Sequence, residues 1–520
     1  MSTFIEQLAD FAVTTERSVL PATVVERVRL QHMHMAAAVS ESVPPHVVDG
    51  FVRSAPSRGS ARVVAGRRSS SARAAARIHA ARAAYVDRLD HLLGGSTGVG
   101  AVSAAWAFAK GAKVEDLLVA TAVANEVAGR VGASMLLGPH HGFGSGWVHS
   151  VSAAVSAGKL LNLSAAEMSN AIGLALMSAG PIPRSVWASV NRTAAIGNAV
   201  ASGVEAAQLA QKGARASLDL LEAPGGLLEN ACWIPLSHSF TALGEAWLTH
   251  TLSFPRWPGP VAWHAVYDSV NSVLERHVKA ADKRLRVDQV LEIHVKVPAP
   301  SVAMDAWFGR IGLRDGAGLP HAVRHGIGAL IARHELGVAQ MDGADWEQRK
   351  EAYGDVASRV KVEHDLSLTL DFMAQVVESV APLVGGITEA EWRGLMERVA
   401  RPEVGWPSMK WSDARSLLRH RPDKWLKKVR FAPVSLAEGR LDEWQIRLGA
   451  SVEVYTTRGG KWPENRSIPD HSPGTPWSGT IGSVHSCFSR ADPKRAKTCD
   501  EVWEYPPGEG AEDWVDRLLE

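Results

Sequence analysis

The chain has 520 residues, of which 46% are hydrophobic, and its 56 basic residues are balanced by 55 acidic ones. The length exceeds that of one ordinary domain, and the composition provides for a large core. A net charge of +1 gives the whole chain no general attraction for nucleic acid or an anionic membrane, so we expect neither as a partner.

The cysteines and the absence of a targeting signal predict a cytoplasmic protein. Cys232, Cys487 and Cys499 lie far apart and form no CxxC pair, which argues against a disulfide framework and against a thiolate metal site. The first ten residues are polar and acidic, unlike a signal peptide. No uninterrupted apolar run reaches the roughly 20 residues that a membrane span needs.

Helical periodicity dominates the first half of the chain. Residues 3–40 and 73–93 predict helices, and residues 41–72, rich in Ser, Pro, Gly and Arg, predict an irregular segment. Small residues on several faces of the following helices are typical of close packing inside one core. These helices are predicted at 99–110, 114–131, 148–161, 165–178 and 194–212.

The pattern changes near Trp257, after which strands alternate with helices. Helices are predicted at 265–277 and 322–336, and strands at 290–297, 360–370 and 444–457. We therefore predict a mainly α protein, with a large all-helical domain and a smaller α/β lid domain. The predicted limits are 1–264 for the helical domain, 265–480 for the lid with a helical insertion at 371–435, and 481–520 for a tail returning to the helical domain.

A first group of reactive side chains ends the helix at 73–93. Asp87, Asp90 and His91 run into the Gly-rich turn 94–98, which contains Thr97. A carboxylate and an imidazole beside such a turn can form an acid/base pair. The structural alternative is a helix C-terminus with solvated charges and a glycine cap.

A second group lies in the Gly-rich loop 139–146. His140 and His141 precede a predicted helix, and His149 follows just inside it. Histidine is the usual general base near neutral pH, and a helix N-terminus favours anions. No Glu or Asp lies at zinc-site spacing, so we expect no metal. The alternative is a purely structural turn.

Two cationic segments complete the candidates. Arg192 can hold a substrate carboxylate through its planar guanidinium. Arg256 and His264 flank a Pro-rich segment at the predicted domain junction, where pockets often form. The alternatives are a helix-capping arginine and a stiff linker. No GxxxxGK[ST] loop, dinucleotide fingerprint or GxSxG elbow is present, so we expect no cofactor.

The order of several segments resembles the MmgE/PrpD family, which includes 2-methylcitrate dehydratase and cis-aconitate decarboxylase. The similar segments are LADF at 8–11, LLVATAVANEVAGRVG at 117–132, GKLLNLS at 158–164, IGNA at 196–199, GVEAA at 203–207, EAPGG at 222–226 and VKVEHD at 360–365. The resemblance implies a homodimer with a site between the two domains. It also implies proton abstraction alpha to a carboxylate without a metal or cofactor.

The resemblance also implies roles for individual residues. Asp87 falls on an Asp of the family's DFDDT-type motif, His264 matches a family His, and His141 lies within about two residues of the loop His. Arg192 replaces a usual Lys; since arginine does not release its proton, Arg192 is expected only to bind anions.

The expected function is that of a cofactor-independent lyase acting on a small di- or tricarboxylate, similar to 2-methylcitrate dehydratase. The expected catalytic residues are Asp87, His91, His141 and His264; those expected to bind substrate are Arg192, Arg256, Thr97, His140 and His149. The alternatives are a cis-aconitate-type decarboxylase, an epimerase or isomerase of a carboxylate, and an inactive anion- or protein-binding member.

Overall fold

The structure is a computed structural model that describes residues 2–41, 45–64, 68–139, 142, 144–408, 413–422, 427, 435–491 and 495–519. Helices dominate these residues, and the strands form two small sheets. This confirms the predicted mainly α fold with a small sheet domain.

The first half is a stack of helices with a β-hairpin. Its helices are α1 (Phe4–Thr14), α2 (Ala22–Ser40), α3 (Pro45–Ser54), α4 (Ala72–Val86), α5 (Gly98–Ala107), α6 (Val114–Ser134), α7 (Gly144–Leu160), α8 (Ala165–Ser178), α9 (Arg184–Trp187), α10 (Arg192–Gln211) and α11 (Leu227–Ala231). The hairpin, β1 (Ala61–Val63) with β2 (Arg68–Ser70), and α3 lie where the sequence predicted an irregular segment.

Small residues let these helices approach closely. A Cβ atom on Gly203 of α10 would lie 2.0 Å from the Ser150 carbonyl oxygen of α7. One on Gly100 of α5 would lie 2.1 Å from Ser152 Oγ of the same helix α7. The glycines are therefore required by backbone contact across the core.

The second half surrounds a four-stranded sheet. Its strands are β3 (Val290–Val297), β4 (Val360–His364), β5 (Ala450–Thr456) and β6 (Lys461–Arg466), in the order β4-β3-β5-β6. Only the β3–β4 pair among them is parallel. The strand predicted at 360–370 stops at His364 because Asp365 caps the next helix, accepting from the Ser367 N–H at 2.8 Å.

The helices of this half are α12 (His264–Ala281), α13 (Ala299–Ile311), α14 (Val323–Arg333), α15 (Val338–Met341), α16 (Gly343–Ser358), α17 (Leu366–Val384), α18 (Glu389–Val399), α19 (Ala414–His420), α20 (Trp477–Ala491), α21 (Arg495–Trp503) and α22 (Ala511–Leu519). Buried residues of α20 to α22, such as Phe488 and Trp514, join the core of the first half. The domain limits predicted from the sequence stay a prediction.

Helix α17 is long and apolar enough to cross a membrane by length and composition alone. Half of its apolar window is buried inside the protein. It also carries Asp371, Glu378 and Pro382, and it shares a core with Leu436, Leu441 and Trp444. These contacts are those of a core helix in a globular protein.

Candidate active site

Asp87 ends helix α4 in the left-handed conformation, with φ of 58°. Its side chain is only 4% exposed. Asp282 ends α12 in the same way, with φ of 53°, but is exposed. The backbone conformation alone is thus a helix cap, and what distinguishes Asp87 is the set of groups around its carboxylate.

The carboxylate of Asp87 accepts a hydrogen bond from His321, with 2.6 Å between Oδ2 and Nε2. His321 is also buried, and its Nδ1 has no hydrogen-bond partner among the described residues. Since a carboxylate can only accept, the proton of this bond lies on His321 Nε2. When the imidazole is neutral, the lone pair is then on Nδ1, as in a carboxylate-oriented general base.

Gly259 holds the two halves of the site together. Its N–H donates to the Asp87 carbonyl at 2.9 Å, and its carbonyl lies 3.0 Å from His264 Nε2. It adopts φ of 95°, and a Cβ atom there would lie 2.7 Å from the carbonyl oxygen of Pro320, next to His321. Only glycine fits this contact between the α4 terminus and the segment that carries His321.

His149, in the first turns of α7, lies near the same aromatic ring as His321, that of Trp187. The Trp187 ring centroid is 6.2 Å from that of His149 and 6.4 Å from that of His321. His149 is 1% exposed, and neither ring nitrogen meets a hydrogen-bond partner by geometry, although the Ser96 backbone is close enough to raise its pKa slightly. Two buried imidazoles thus lie near the Trp187 ring.

Three histidines that the sequence predicted for the site, His91, His149 and His264, are uncharged at neutral pH. Burial lowers the pKa of His91, His149 and His264 to about 4 in each case. His91 and Asp87 both influence the pKa of His264, so these three groups lie near one another. Neutral imidazoles can form hydrogen bonds with a substrate but cannot pair with it as cations.

Arg192 has a different position from the one expected of a substrate-binding residue. It is fully buried at the start of α10, with its Nε 3.8 Å from Asp87 Oδ1. Its donors are used by the backbone, so the predicted binding of a substrate carboxylate is not supported. The accepting carbonyls belong to Ala84, Tyr85, Trp187, Ser189 and Ala317.

Thr97 is likewise committed to a buried network. Its Oγ1 donates to Asn125 Oδ1 at 2.7 Å, and Asn125 is bonded in turn to Gln31. Gln31 donates to Asp90 at 2.8 Å, and the Gly98 N–H does so at 3.2 Å. Thr97 therefore holds the 87–98 loop in place. It is not exposed to a ligand, as the substrate-binding prediction would require.

Of three further candidates, the structure describes only Arg256. Arg256 stacks over Trp257 at 4.6 Å, and no contact among the described residues joins it to Asp87 or His321. His140 and His141 lie outside the described residues, so their predicted roles stay predictions.

Two open surface cavities lie elsewhere. One of about 490 Å³ lies between α1 and residues 237–243. The other, of about 600 Å³, is lined by residues 284–288 and includes Arg359, which is paired with Asp355. Neither contains an unpaired buried base, so we place the candidate active site at Asp87 and His321.

The sequence reasoning missed His321. It lies 234 residues from Asp87, in a different half of the protein, and no motif of the second half singled it out. A signal was present: Gly316, Gly318 and Pro320 make a turn-rich approach to α14, and a polar residue at such a turn often faces a site.

In the part of the chain that the structure describes, no three His, Cys, Asp or Glu side chains come together in a way that could hold a metal ion. A family model described as the MmgE/PrpD N-terminal domain matches residues 6–232. No curated protein matches the chain. The matched region contains Asp87, His149 and Arg192, whereas Arg256, His264 and His321 lie beyond it.

Proposed function

Because residues 6–232 belong to the MmgE/PrpD family, we propose that this protein is a lyase acting on a small di- or tricarboxylate. It removes a proton from the carbon next to a carboxylate, and the Asp87–His321 pair is its base. The observation that carries this proposal is the 2.6 Å hydrogen bond that leaves His321 Nδ1 free in a buried site.

The proton transfer follows from the position of charge. His321 Nδ1 takes the substrate proton, and the electron pair of the C–H bond passes into the enolate of the adjacent carboxylate. The imidazolium that forms is stabilised by Asp87, which already accepts from Nε2. Asp87 and His321 are hydrogen-bonded to each other directly. The carboxylate is therefore in place before the imidazolium forms, and this stabilisation is preorganised.

Loss of water completes the reaction. The enolate electron pair forms the carbon–carbon double bond as the bond to the neighbouring hydroxyl breaks, and the proton on His321 returns to the departing hydroxide. A decarboxylase would break a carbon–carbon bond instead, with release of carbon dioxide and delivery of the proton to carbon. In that reaction the protonated His321 would be the acid that gives its proton to the carbon left with the electron pair.

A second candidate function, an epimerase, is favoured by the two imidazoles around Trp187. The ring centroids of His149 and His321 lie 6.2 Å and 6.4 Å from that of Trp187, so these two imidazoles are candidates for the two groups of an epimerase, one that removes a proton and one that returns it. Burial keeps His149 neutral by lowering its pKa to about 4, so it can accept a proton at neutral pH.

The proposal extends to the setting of the enzyme. We propose a cytoplasmic homodimer that needs no cofactor and has neither nucleic acid nor membrane as a partner. The family resemblance supports the homodimer, and the balanced charge of 56 basic and 55 acidic residues supports the absence of polyanionic partners.

The test is proton NMR in D₂O with the purified full-length chain and citrate, 2-methylcitrate, cis-aconitate and chiral succinate derivatives. A new alkene signal, or loss of carbon dioxide, establishes a lyase. Deuterium entering the alpha position with inversion and no elimination establishes the epimerase. If no compound exchanges a proton while one of them binds, the inactive anion-binding protein replaces both proposals.

The assignment of the base is tested by substitution. Asp87→Asn and His321→Gln should each lower kcat by about 10²- to 10⁴-fold, as loss of a general base does. The double variant should be little worse than either single variant, because the two residues act as a unit. Asp282→Asn changes a helix cap of the same conformation and should leave the rate unchanged. Equal rates for wild type and His321→Gln would refute the assignment.

A further inference from the structure

Arg184 is a partly buried cation without a carboxylate partner among the described residues. It begins the short helix α9, and its guanidinium carbon lies 4.9 Å from the ring centroid of Trp307 in α13. Burial, together with the positive charge of Arg310 nearby, lowers the pKa of Arg184 to about 10. The guanidinium is therefore charged at neutral pH in a place where its charge is poorly compensated.

Several other partly buried arginines pair with a carboxylate. Arg88 pairs with Glu41, Arg324 with Asp305 at 2.8 Å, and Arg359 with Asp355 at 2.5 Å. A buried cation without such a partner costs free energy unless another anion neutralises it. Arg184 thus has the environment expected of a site for an anionic ligand.

The position of Arg184 ties this charge to the candidate active site. The same four-residue helix carries Trp187, whose ring centroid lies 6.2 Å from that of His149 and 6.4 Å from that of His321. From the other side, Trp307 contacts Phe308 at 5.0 Å between ring centroids, and Phe308 contacts His321 at 5.2 Å. Arg184 is therefore separated from the base by two aromatic contacts, at the junction of α9 and α13.

We propose that Arg184 binds the carboxylate of the substrate that is remote from the reacting carbon, with Arg310 adding to the positive field. This inference rests on the proposed function, and it names the residue that makes the second carboxylate of the substrate necessary for binding. A monocarboxylate that placed its only charge beside His321 would leave Arg184 uncompensated. The sequence suggested that Arg192 binds a substrate carboxylate. In this inference Arg184 has that role and determines which substrates bind.

The guanidinium is suited to this task by its surroundings. The guanidinium carbon lies over the Trp307 ring, 4.9 Å from its centroid, and a guanidinium held at a ring can still bind a carboxylate through its N–H groups. The Cγ atom of Arg184 lies against Gly142, where a Cβ atom would approach it to 3.2 Å. The stem is thus held on both sides, so the entropy lost on binding an anion is reduced.

The test is binding of tricarballylate, a tricarboxylate without a hydroxyl leaving group, measured by calorimetry with the full-length chain. Butyrate serves as the singly charged comparison. Arg184→Gln should weaken tricarballylate binding about 10- to 100-fold, as expected for the loss of a charge-assisted hydrogen bond. The affinity of the Arg184→Lys variant for tricarballylate should lie between those of the wild type and of Arg184→Gln, because lysine keeps the charge but loses the planar fork of donors.

Arg27→Gln is the matched control. Arg27 stacks on Trp477 at 4.2 Å, and burial lowers its pKa to about 10 as well, but it belongs to α2. The Arg27→Gln variant should bind tricarballylate with the same affinity as the wild type. Unchanged affinity in a folded Arg184→Gln variant, or a wild type that does not prefer tricarballylate to butyrate, overturns the inference.

The two proposals fail separately. Proton exchange in D₂O that does not depend on Arg184 leaves the lyase standing and removes the subsite. Tricarballylate binding that depends on Arg184, in a protein that exchanges no proton from any compound, leaves the subsite and removes the lyase.

Discussion

Two buried arginines in the helical half lie beside a carboxylate, and only one of these pairs has the features of a catalytic site. Arg130 lies 3.7 Å from Glu126, and Arg192 lies 3.8 Å from Asp87. Both guanidinium groups donate to several backbone carbonyls. The arginines are therefore alike, and the difference lies in what else reaches the carboxylates.

The Glu126 carboxylate accepts its hydrogen bonds from groups that cannot exchange a proton in catalysis. It accepts from the N–H groups of Leu248 and Thr249 at 2.9 and 2.8 Å, and from Thr249 Oγ1 at 2.7 Å. Asp87 instead accepts from His321, whose second nitrogen is free. A buried ion pair alone thus does not mark an active site; at Asp87 the pair is joined by a histidine whose second nitrogen is unused.

The largest effect should come from breaking the structural pair. Glu126→Leu leaves the Arg130 charge uncompensated and three donors without their acceptor, so we expect unfolding to become easier by about 3–5 kcal/mol. The measurement is the urea midpoint of the purified variant. Asp87→Asn keeps the shape of its site and should lose far less stability than activity. A Glu126→Leu variant as stable as the wild type would contradict the structural role of this pair.

The next effect concerns the contact that positions Asp87 relative to His321. Gly259→Ala places a Cβ atom 2.7 Å from the Pro320 carbonyl, at a φ of 95° that alanine rarely adopts. The segment with His321 must then shift from Asp87, and we expect kcat to fall about 10- to 100-fold, since small misplacements are costly.

Gly111→Ala is the control for the backbone strain in this second experiment. Gly111 also has positive φ, of 78°, but a Cβ atom there meets no neighbour within 4 Å. The Gly111→Ala variant should lose some stability through backbone strain and keep the kcat of the wild type. Equal kcat losses in both variants would attribute the effect to strain and not to the position of His321.

The sequence predicted the elements better than the contacts between them. The helix predicted at 165–178 and the strand predicted at 290–297 have those bounds in the structure, because capping by Ser164 and strict alternation are local signals. Asp87 was found through its place at a helix end and through the resemblance. These are properties of neighbouring residues, which a sequence displays directly.

The roles of Arg192 and His321 depend on tertiary contacts instead. Arginine suits both a substrate carboxylate and a set of backbone carbonyls, and only its full burial decides for the carbonyls. His321 meets Asp87 across 234 residues. Neither fact has a local signature, so the base and the substrate-binding cation could not be assigned from the sequence.

The smallest predicted effect involves a third buried carboxylate, Asp90, which has neither an arginine nor a histidine beside it. Burial raises its pKa to about 6, while the hydrogen bonds from Gln31 and the Gly98 N–H only partly oppose this shift. Because the folded-state pKa lies above the ordinary value of 3.8, the contribution of Asp90 to stability is greatest below that value. It is lost as the pH rises through about 6.

Asp90→Asn removes this titration and keeps an acceptor for both donors. The stability of the variant relative to the wild type should therefore rise by about 1–2 kcal/mol between pH 4 and pH 7, measured as the difference in urea midpoints. Buried histidines such as His264, with its pKa lowered to about 4, destabilise both proteins as the pH falls below 6.5, so their effect cancels in the difference. A difference that stays constant with pH would mean that the 87–98 loop lets water reach Asp90, and the rigid placement of Asp87 next to it would then have to be abandoned.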